Sequence, residues 1–480
     1  MKELETAQPN VSSVEILPTP FELGTLSALR RVPGLRYLAP STRTLRALRG
    51  GTWTMAGYGT SQLLKVASTL TLARMLAPQA FGAVALVNVF LAGLEMLSDL
   101  GIGMDVVQHP RGDDPSFINT AFIIQAVRGI ALWTVAAALA YPFAHFYHQP
   151  AVLMLLVVGS FSVLLRGFTS GSVWSLTRHV QLGKYNALLA GSDLFGFIIS
   201  LTWALISPTA WALVVGRVAG VAALVIASHA IAEYGVSAKW DPKAAKEILA
   251  FGSGILLSSG TYFLSGEAER LVVAKFITLV ELGCLSISLS VAWACTKGLQ
   301  QIISQVFFPM MSASLRENRV NAARHYHRSS RIVLLVSCCA SIGFVLFSHL
   351  FVKVVLGPKY SQAGWMLQLM GVRGALELYM SVSVSMLFAL GTSKFAAVGN
   401  VLKLAFMAVG LTVAFGWYGL HAALWVLMLA PIATYALLLI GLERHCKAVL
   451  RGEILGFLGF AGATAAATFL FAFFSHLWGF

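Results

Sequence analysis

Charge is what this chain has least of. Only 11% of its 480 residues are Asp, Glu, Lys or Arg and 57% are hydrophobic, whereas about a quarter of a soluble globular chain is charged. An ordinary water-soluble domain is excluded. Cysteine is scarce as well. Of the five, Cys284, Cys295, Cys338 and Cys339 fall in apolar segments and Cys446 in a basic loop, at no metal-ligand spacing, so they read as packing thiols. No stretch matches GxxxxGK[ST], which argues against ATP hydrolysis within the chain. The first 50 residues hold no apolar core of the signal-peptide kind. Short alternating strands with polar inward positions, the mark of a membrane barrel, are missing too.

Long apolar runs are abundant instead, and the mean hydropathy is +0.77. Runs of roughly 20 residues recur from Thr52 to the C-terminus, each long enough to cross a hydrocarbon core of about 30 Å. The chain is therefore an all-α polytopic membrane protein. Thirteen helices are expected, starting near Thr52, Phe81, Phe117, Ala151, Asn186, Thr209, Ile248, Val280, Arg331, Gly364, Phe395, Gly419 and Ile454.

The net charge of +14 suggests nucleic acid only until its placement is considered. Basic residues gather in alternate loops: Arg111; Arg178 and Lys184; Lys239, Lys243 and Lys246; Arg316, Arg319, Arg324 and Arg328; Lys394; Arg444, Lys447 and Arg451. The positive-inside rule puts these loops and the N-terminus in the cytoplasm. The intervening "YPFAHFYHQP", "SPT" and "GWYG" carry no Lys or Arg. Arg74, Lys275, Lys353 and Lys359 are exceptions at outer helix ends, where snorkelling accounts for them. Arg30, Arg31, Arg36, Arg43, Arg46 and Arg49 close a polar tail expected to lie along the anionic inner leaflet.

An internal repeat organises the chain. A shift of 201 positions aligns "GTSQLLKVASTLTLARMLAPQAFG" (59–82) with "GTYFLSGEAERLVVAKFITLVELG" (260–283) without a gap. Gly59/Gly260, Thr60/Thr261, Leu63/Leu264, Ala67/Ala268, Leu70/Leu271, Ala73/Ala274 and Gly82/Gly283 are identical, and Arg74 matches Lys275. A weaker echo sets "LLRGF" (164–168) against "GVRGA" (371–375). The shift skips an even number of spans, so both copies enter the membrane in the same direction, as in transporters whose halves rock about a site between them. The expected organisation is a cytoplasmic basic tail (1–50), an N-lobe of six helices (51–231), a cytoplasmic linker (232–247), a C-lobe of six helices (248–441) and a basic loop with one further helix (442–480).

Within the spans lie the basic residues Lys65, Arg128, Arg166, Arg217, Arg270, Lys297, Arg373 and Lys403, and the acids Glu95, Asp99, Asp193, Glu267, Glu269 and Glu377. Ionisable groups at membrane depth face a cavity or pair with one another. Glu267–Arg270 and Arg373–Glu377 have pairing spacing on one helix face. Arg217 and Lys403 lie within about 12 Å of a helix start, so snorkelling competes for them. Arg128, Arg166 and Lys297 are deeper and are candidates for a cationic cavity. Arg offers phosphate a planar fork of donors and Lys a compact charge, which suits a diphosphate. Asn88, Gln125, Gln300, Gln301 and Asn400 could meet sugar hydroxyls. Glu95 and Asp99, one helical turn apart, repel each other. A cation on another helix, Lys65 or Arg128, is expected to neutralise them and form a cytoplasmic-side gate. Proton uptake by one of them, and Asp99 lying at a helix end in water, stand as alternatives. Asp193 and Glu267 complete the acidic candidates for gating or coupling.

Three stretches carry a resemblance: "LARMLAPQAFGAVAL…LEMLSDLGIG", "FGSGILLSSGTYFLSGEAERLVVAKF…LG" and "GPKYSQAGWMLQLMGVRGALE". In this order they resemble the Wzx-type polysaccharide repeat-unit flippases of the MOP exporter superfamily, over about Gly50 to Arg444. The resemblance implies a V-shaped bundle of two pseudo-symmetric six-helix lobes, with twelve to fourteen spans in all, in the bacterial inner membrane. It implies a non-enzyme that moves undecaprenyl-pyrophosphate-linked oligosaccharide from the cytoplasmic to the periplasmic leaflet. The expected partners are that lipid-linked glycan, membrane lipids and a polysaccharide polymerase or export machinery, with the chain a monomer. No nucleic acid and no cofactor are expected, while proton or sodium coupling stays open. Alternatives are a drug/cation antiporter of the same superfamily, a peptidoglycan lipid II flippase, or a membrane-embedded glycosyltransferase or polymerase.

Overall fold

Proline marks the start of three early helices. Pro78, Pro115 and Pro150 open three of them, where the missing N–H costs nothing and the fixed φ suits the first turn. Asp114 caps the second of these by accepting a hydrogen bond from the Ser116 amide. The computed structural model describes residues 42–232, 240–266, 268–317, 319–392, 394–445 and 447–478. Most of the basic tail, the linker positions 233–239, Glu267 and Cys446 lie outside the described residues. Contacts divide the chain into a short unit, Met1–Met55, and a large one, Ala56–Phe480.

The helices are α1 (Thr42–Met75), α2 (Pro78–Leu97), α3 (Ile102–Gln108), α4 (Pro115–Phe146), α5 (Pro150–Gly167), α6 (Ser172–Arg178), α7 (Leu182–Ile206) and α8 (Trp211–Ala230). They continue with α9 (Pro242–Gly266), α10 (Ala268–Ala274), α11 (Leu279–Glu317), α12 (Arg319–Phe351), α13 (Ala363–Ala389), α14 (Lys394–Trp417), α15 (Gly419–His445) and α16 (Lys447–Trp478). A π turn, Val352–Leu356, extends α12. Among the described residues there is no strand, and eleven helices are long and apolar enough to cross a membrane. The two other long helices, α1 and α9, open the two repeats, and both are interrupted by polar residues.

The packing repeats with the sequence. In the N-lobe α2 and α4 lie on α5, and α5 packs on α8, which pairs with α7. In the C-lobe α11 and α12 lie on α13, and α13 packs on α15, which pairs with α14. The lobes meet where α2 crosses α11. There Gly82 and Gly283 face each other: a Cβ on Gly82 would overlap the Leu279 carbonyl, and one on Gly283 would overlap the Pro78 carbonyl. Leu279 is the repeat mate of Pro78, so this crossing sits on the pseudo-twofold axis. This end of the bundle is the clasp end.

At the opposite, linker end α9 lies along the N-lobe, against α2, α3 and α4, while also touching α14. Phe263 fills the space over Gly93, and Ile255 packs on Gly101, whose φ of +56° is the left-handed conformation glycine tolerates. The short α3 and α6 pack together at this end, and Arg178 of α6 donates to the Val106, Val107 and His109 carbonyls at the end of α3. Outside the repeat, α16 packs on α12 and α15. It is fixed by Glu453, 1% exposed, whose carboxylate accepts from Ser330 (2.6 Å), Ser383 (3.1 Å) and Tyr435 (3.0 Å).

Candidate functional site

A hollow of about 1080 Å³ opens between α1 of the N-lobe and α11, α13, α14 and α15 of the C-lobe. Helical spacing turns Lys297, Gln300, Gln301 and Ser304 of α11 into it, and Arg373, Glu377, Ser381 and Ser385 of α13. Asn400 and Lys403 come from α14, and Gln62, Lys65 and Thr69 from α1. Pro431, inside α15, and Phe308 add apolar wall. Among the described residues four of its lining side chains are cationic and one is a carboxylate.

Those charges form a hub rather than a loose ring. Arg373, only 3% exposed, donates through both terminal nitrogens to Glu269 of α10 at 2.9 and 2.8 Å. Its Nε reaches Glu377 at 3.3 Å. Lys297 and Lys403 approach Glu377 at 3.7 and 3.9 Å. Three cations therefore share two carboxylates. The Arg373 fork is already occupied by Glu269, which leaves the lysines as the anion-seeking groups: Lys297 is half exposed and Lys403 more enclosed. Lys65 stands on the facing helix, where Asp193 of α7 holds it at 3.4 Å. Trp293 backs the hub, with the Arg270 guanidinium 4.4 Å and the Lys297 ammonium 5.8 Å from its ring, within cation–π range.

A second hollow, of about 150 Å³, lies in the N-lobe between α2, α4 and α5, lined by Glu95, Gln125, Arg128 and Arg166 among others. Its floor is tight, because Gly129 and Gly167 bring the α4 and α5 backbones together: a Cβ on either would lie 2.8 or 2.9 Å from the other's Cα. One carboxylate oxygen of Glu95 is buried there without a hydrogen-bond partner.

The structure thus distributes the sequence candidates over two places. Lys65, Lys297, Arg373 and Lys403 gather at the larger hollow, with Gln300, Gln301 and Asn400; Arg128 and Arg166 gather at the smaller one, with Gln125 and Glu95. Arg217 turns inward within the N-lobe and donates to Asn88 and, at 3.2 Å, to Ser162. Arg270 stacks on Trp293. Of the two partners expected for the acidic pair, Arg128 stands within electrostatic reach of both carboxylates and Lys65 does not. Lys65 is joined to Asp193, and Arg128 donates to the Glu95 main-chain carbonyl and the Ser98 hydroxyl (3.0 Å) rather than to either carboxylate. Asp99 lies just past the end of α2, accepting from the Gly101 amide at 2.9 Å and, across the lobes, from Ser259 of α9 at 3.0 Å. Glu269 and Trp293, central to the hub, were not among the site residues expected from sequence. Glu269 stood out only as an acid inside a span, and nothing local joins it to Arg373, 104 residues away.

Two pseudo-symmetric helical lobes enclose a polar hollow, and comparison with known proteins gives the family. Residues 71–364 match the family model described as polysaccharide biosynthesis protein, and the chain belongs to that family. It is 19% identical over 382 residues to an uncharacterized membrane protein in the cps region of Klebsiella pneumoniae, covering 79% of this chain and 78% of that protein. It is 20% identical over 334 residues to the lipopolysaccharide biosynthesis protein WzxC of Escherichia coli (strain K12), covering 69% of this chain and 68% of that one. Among solved structures it resembles the lipid II flippase MurJ in an inward closed conformation, with TM-score 0.62, 12% identity and coverage of 88% of this chain and 98% of that one. An inward-facing MATE transporter of the MOP superfamily gives TM-score 0.60 at 12% identity, covering 81% of this chain and 95% of that one. At such identities the structural likeness is one of fold: this is the MOP exporter fold.

Proposed function

We propose that the chain is a flippase that carries an undecaprenyl-pyrophosphate-linked oligosaccharide from the cytoplasmic to the periplasmic leaflet for polysaccharide biosynthesis. The observation that carries the reading is the larger hollow, with Lys65, Lys297, Arg373 and Lys403 against Glu377. An ammonium that already leans on a carboxylate can turn to a phosphate at small cost, since it exchanges one charge-assisted bond for another. Ser, Gln and Asn around the lysines offer hydrogen bonds to sugar hydroxyls, while the prenyl chain stays in lipid. A drug/cation antiporter would favour an acidic hollow, and the one lining carboxylate among the described residues is shared among three cations.

In this reading residues 51–231 and 248–441 are the moving lobes, 232–247 joins them, and 442–480 is an appended helix. The N-terminus and the linker end, where Arg111, Arg178, Lys243 and Lys246 lie, face the cytoplasm, and the clasp end faces the periplasm. The chain works as a monomer in the inner membrane and hands its cargo to a polymerase. Deleting the gene should leave lipid-linked repeat units on the cytoplasmic leaflet and stop polymer output, and the intact gene should restore both. Unchanged distribution of those intermediates would remove the reading. Rescue of a strain lacking its lipid II flippase, without effect on polymer, would transfer the reading to peptidoglycan precursor.

A further inference from the structure

At the clasp end the two lobes hold each other by contacts that come in pairs. Arg74, at the end of α1, donates through Nε to the Val355 carbonyl at 2.7 Å and through a terminal nitrogen to Val354. Both carbonyls belong to the π turn that ends α12, in the other lobe. Lys275, its mate under the shift of 201, donates to the Phe146 carbonyl at the end of α4 and stands 4.0 Å over the Phe146 ring. Each lobe thus places one cation on the C-terminal carbonyls of a helix in its partner, where the helix dipole is negative.

A second pair also crosses the lobes in both directions, from the segments that follow α4 and α12, although its residues are not mates under the shift of 201. The Tyr360 hydroxyl donates to the Leu76 carbonyl at 3.1 Å, and the Tyr147 hydroxyl donates to the Leu271 carbonyl at 2.9 Å. Between the pairs lies the Gly82–Gly283 crossing, where neither backbone leaves room for a side chain. Snorkelling, which sequence offered for Arg74 and Lys275, would send both heads to water or lipid headgroups. Here both are spent on the other lobe.

We infer that Arg74 and Lys275 are paired latches of a pseudo-twofold clasp, and that the hollow reaches the clasp end only after both have let go. The inference rests on the proposed function in one respect: the hollow must at some stage face that end. Because the contacts are symmetric, the lobes separate by losing matched bonds on both sides of the glycine crossing, and neither lobe can open while the other stays latched. Carbonyl acceptors suit such a latch. Releasing a cation from a carbonyl leaves no uncompensated carboxylate behind, so it costs less than breaking a buried ion pair.

The test measures access rather than export. Ser290, which lines the hollow, is replaced by Cys in full-length protein whose native cysteines have been substituted. A charged, membrane-impermeant maleimide is applied to sealed vesicles of either orientation. From the clasp face, Arg74→Ala and Lys275→Ala should each raise the labelling rate about two- to fivefold, the range of a cation at a helix C-terminus. Acting on one equilibrium, they should multiply in the double variant. Arg74→Lys and Lys275→Arg should stay near the parent rate. If the alanine variants fold poorly, Tyr147→Phe with Tyr360→Phe removes only hydroxyls and should shift the rate the same way. Labelling from the clasp face that is unchanged in all of these would overturn the inference. The readout needs no glycan: faster labelling in a protein that moves no lipid-linked sugar would defeat the proposed function and leave the clasp standing.

Discussion

Arg373 and Glu269 meet through two parallel N–H···O bonds of 2.9 and 2.8 Å, with both residues 3% exposed. The pair ties α13, the central helix of the C-lobe, to α10. Removing one partner of such a buried pair strands the other charge and costs about 3–5 kcal/mol. Arg373→Ala and Glu269→Ala should therefore each lower the thermal midpoint in detergent sharply. Replacing both with Met removes the stranded charge as well as the bond, and should recover most of the lost stability. Equal destabilisation in the single and double variants would show that the pair is not a unit.

Lys297 and Lys403 lean on Glu377 at 3.7 and 3.9 Å, distances short enough for attraction and long enough to leave the ammonium groups partly uncommitted. Export should fall about 10-fold or more in Lys297→Ala, the loss expected for a charge-assisted hydrogen bond to the cargo. Lys297→Arg keeps the charge and should retain much of the activity. Protein abundance in the membrane, measured alongside, should stay near the parent level, because this side chain is half exposed. Full polymer output from Lys297→Ala would take Lys297 out of the headgroup site.

Much of the architecture was legible because apolar length and repeat spacing are local quantities. The thirteen starts anticipated from sequence each fall in or close to a long helix, and the shift that paired Gly82 with Gly283 marks the crossing of α2 and α11. The site was less legible, because its bonds join distant positions. Arg74 reaches carbonyls 280 and 281 positions away, and its spacing to other charges gives no hint of that. Arg373–Glu377 was readable from its four-residue spacing, whereas the tighter bond to Glu269 was not. The acidic pair shows how a face-matching argument can mislead. Glu95 and Asp99 are one turn apart, yet α2 ends at Leu97, so Asp99 leaves the helical face and meets Ser259 instead. The short helices α3 and α6, seven residues each, are too brief for periodicity to reveal.

Glu453 makes a different prediction, about the helix that lies outside the repeat. Its carboxylate collects hydroxyls from α12, α13 and α15, and its main-chain carbonyl accepts from Tyr379 and Tyr435 at 3.3 Å. Tyr326, Tyr379 and Tyr435 are among the largest fully buried side chains. Glu453→Ala would leave several buried hydroxyls without their acceptor, at about 1–3 kcal/mol for each unsatisfied group. Glu453→Gln keeps the shape and one acceptor oxygen, so it should cost less. Thermal unfolding of the two variants checks the order, and an alanine variant as stable as the parent would mean that α16 is held by its apolar face alone.

The linker end should respond to acid. Arg111 donates to Asp241 at 2.6 Å and to Asp114 at 2.8 Å, joining the loop before α4 to the start of α9. These bonds hold both carboxyls below their ordinary range, the Arg111 hydrogen bond being the largest cause in each case. A depressed acid contributes stability that is fully present above its unfolded value, about 3.8, and is lost as pH falls through the folded one. The loop-to-α9 contact should thus hold throughout the neutral range and loosen below about pH 4. Asp241→Asn imitates the protonated state and should loosen it at every pH. Hydrogen exchange of the amides at 241–245 reads the contact directly: protection that fades in acid for the parent, and is already weak at neutral pH in the variant, is the expected result. Protection independent of pH in both would mean that the Asp241 side chain contributes nothing beyond the Thr120 hydroxyl bond to its own amide.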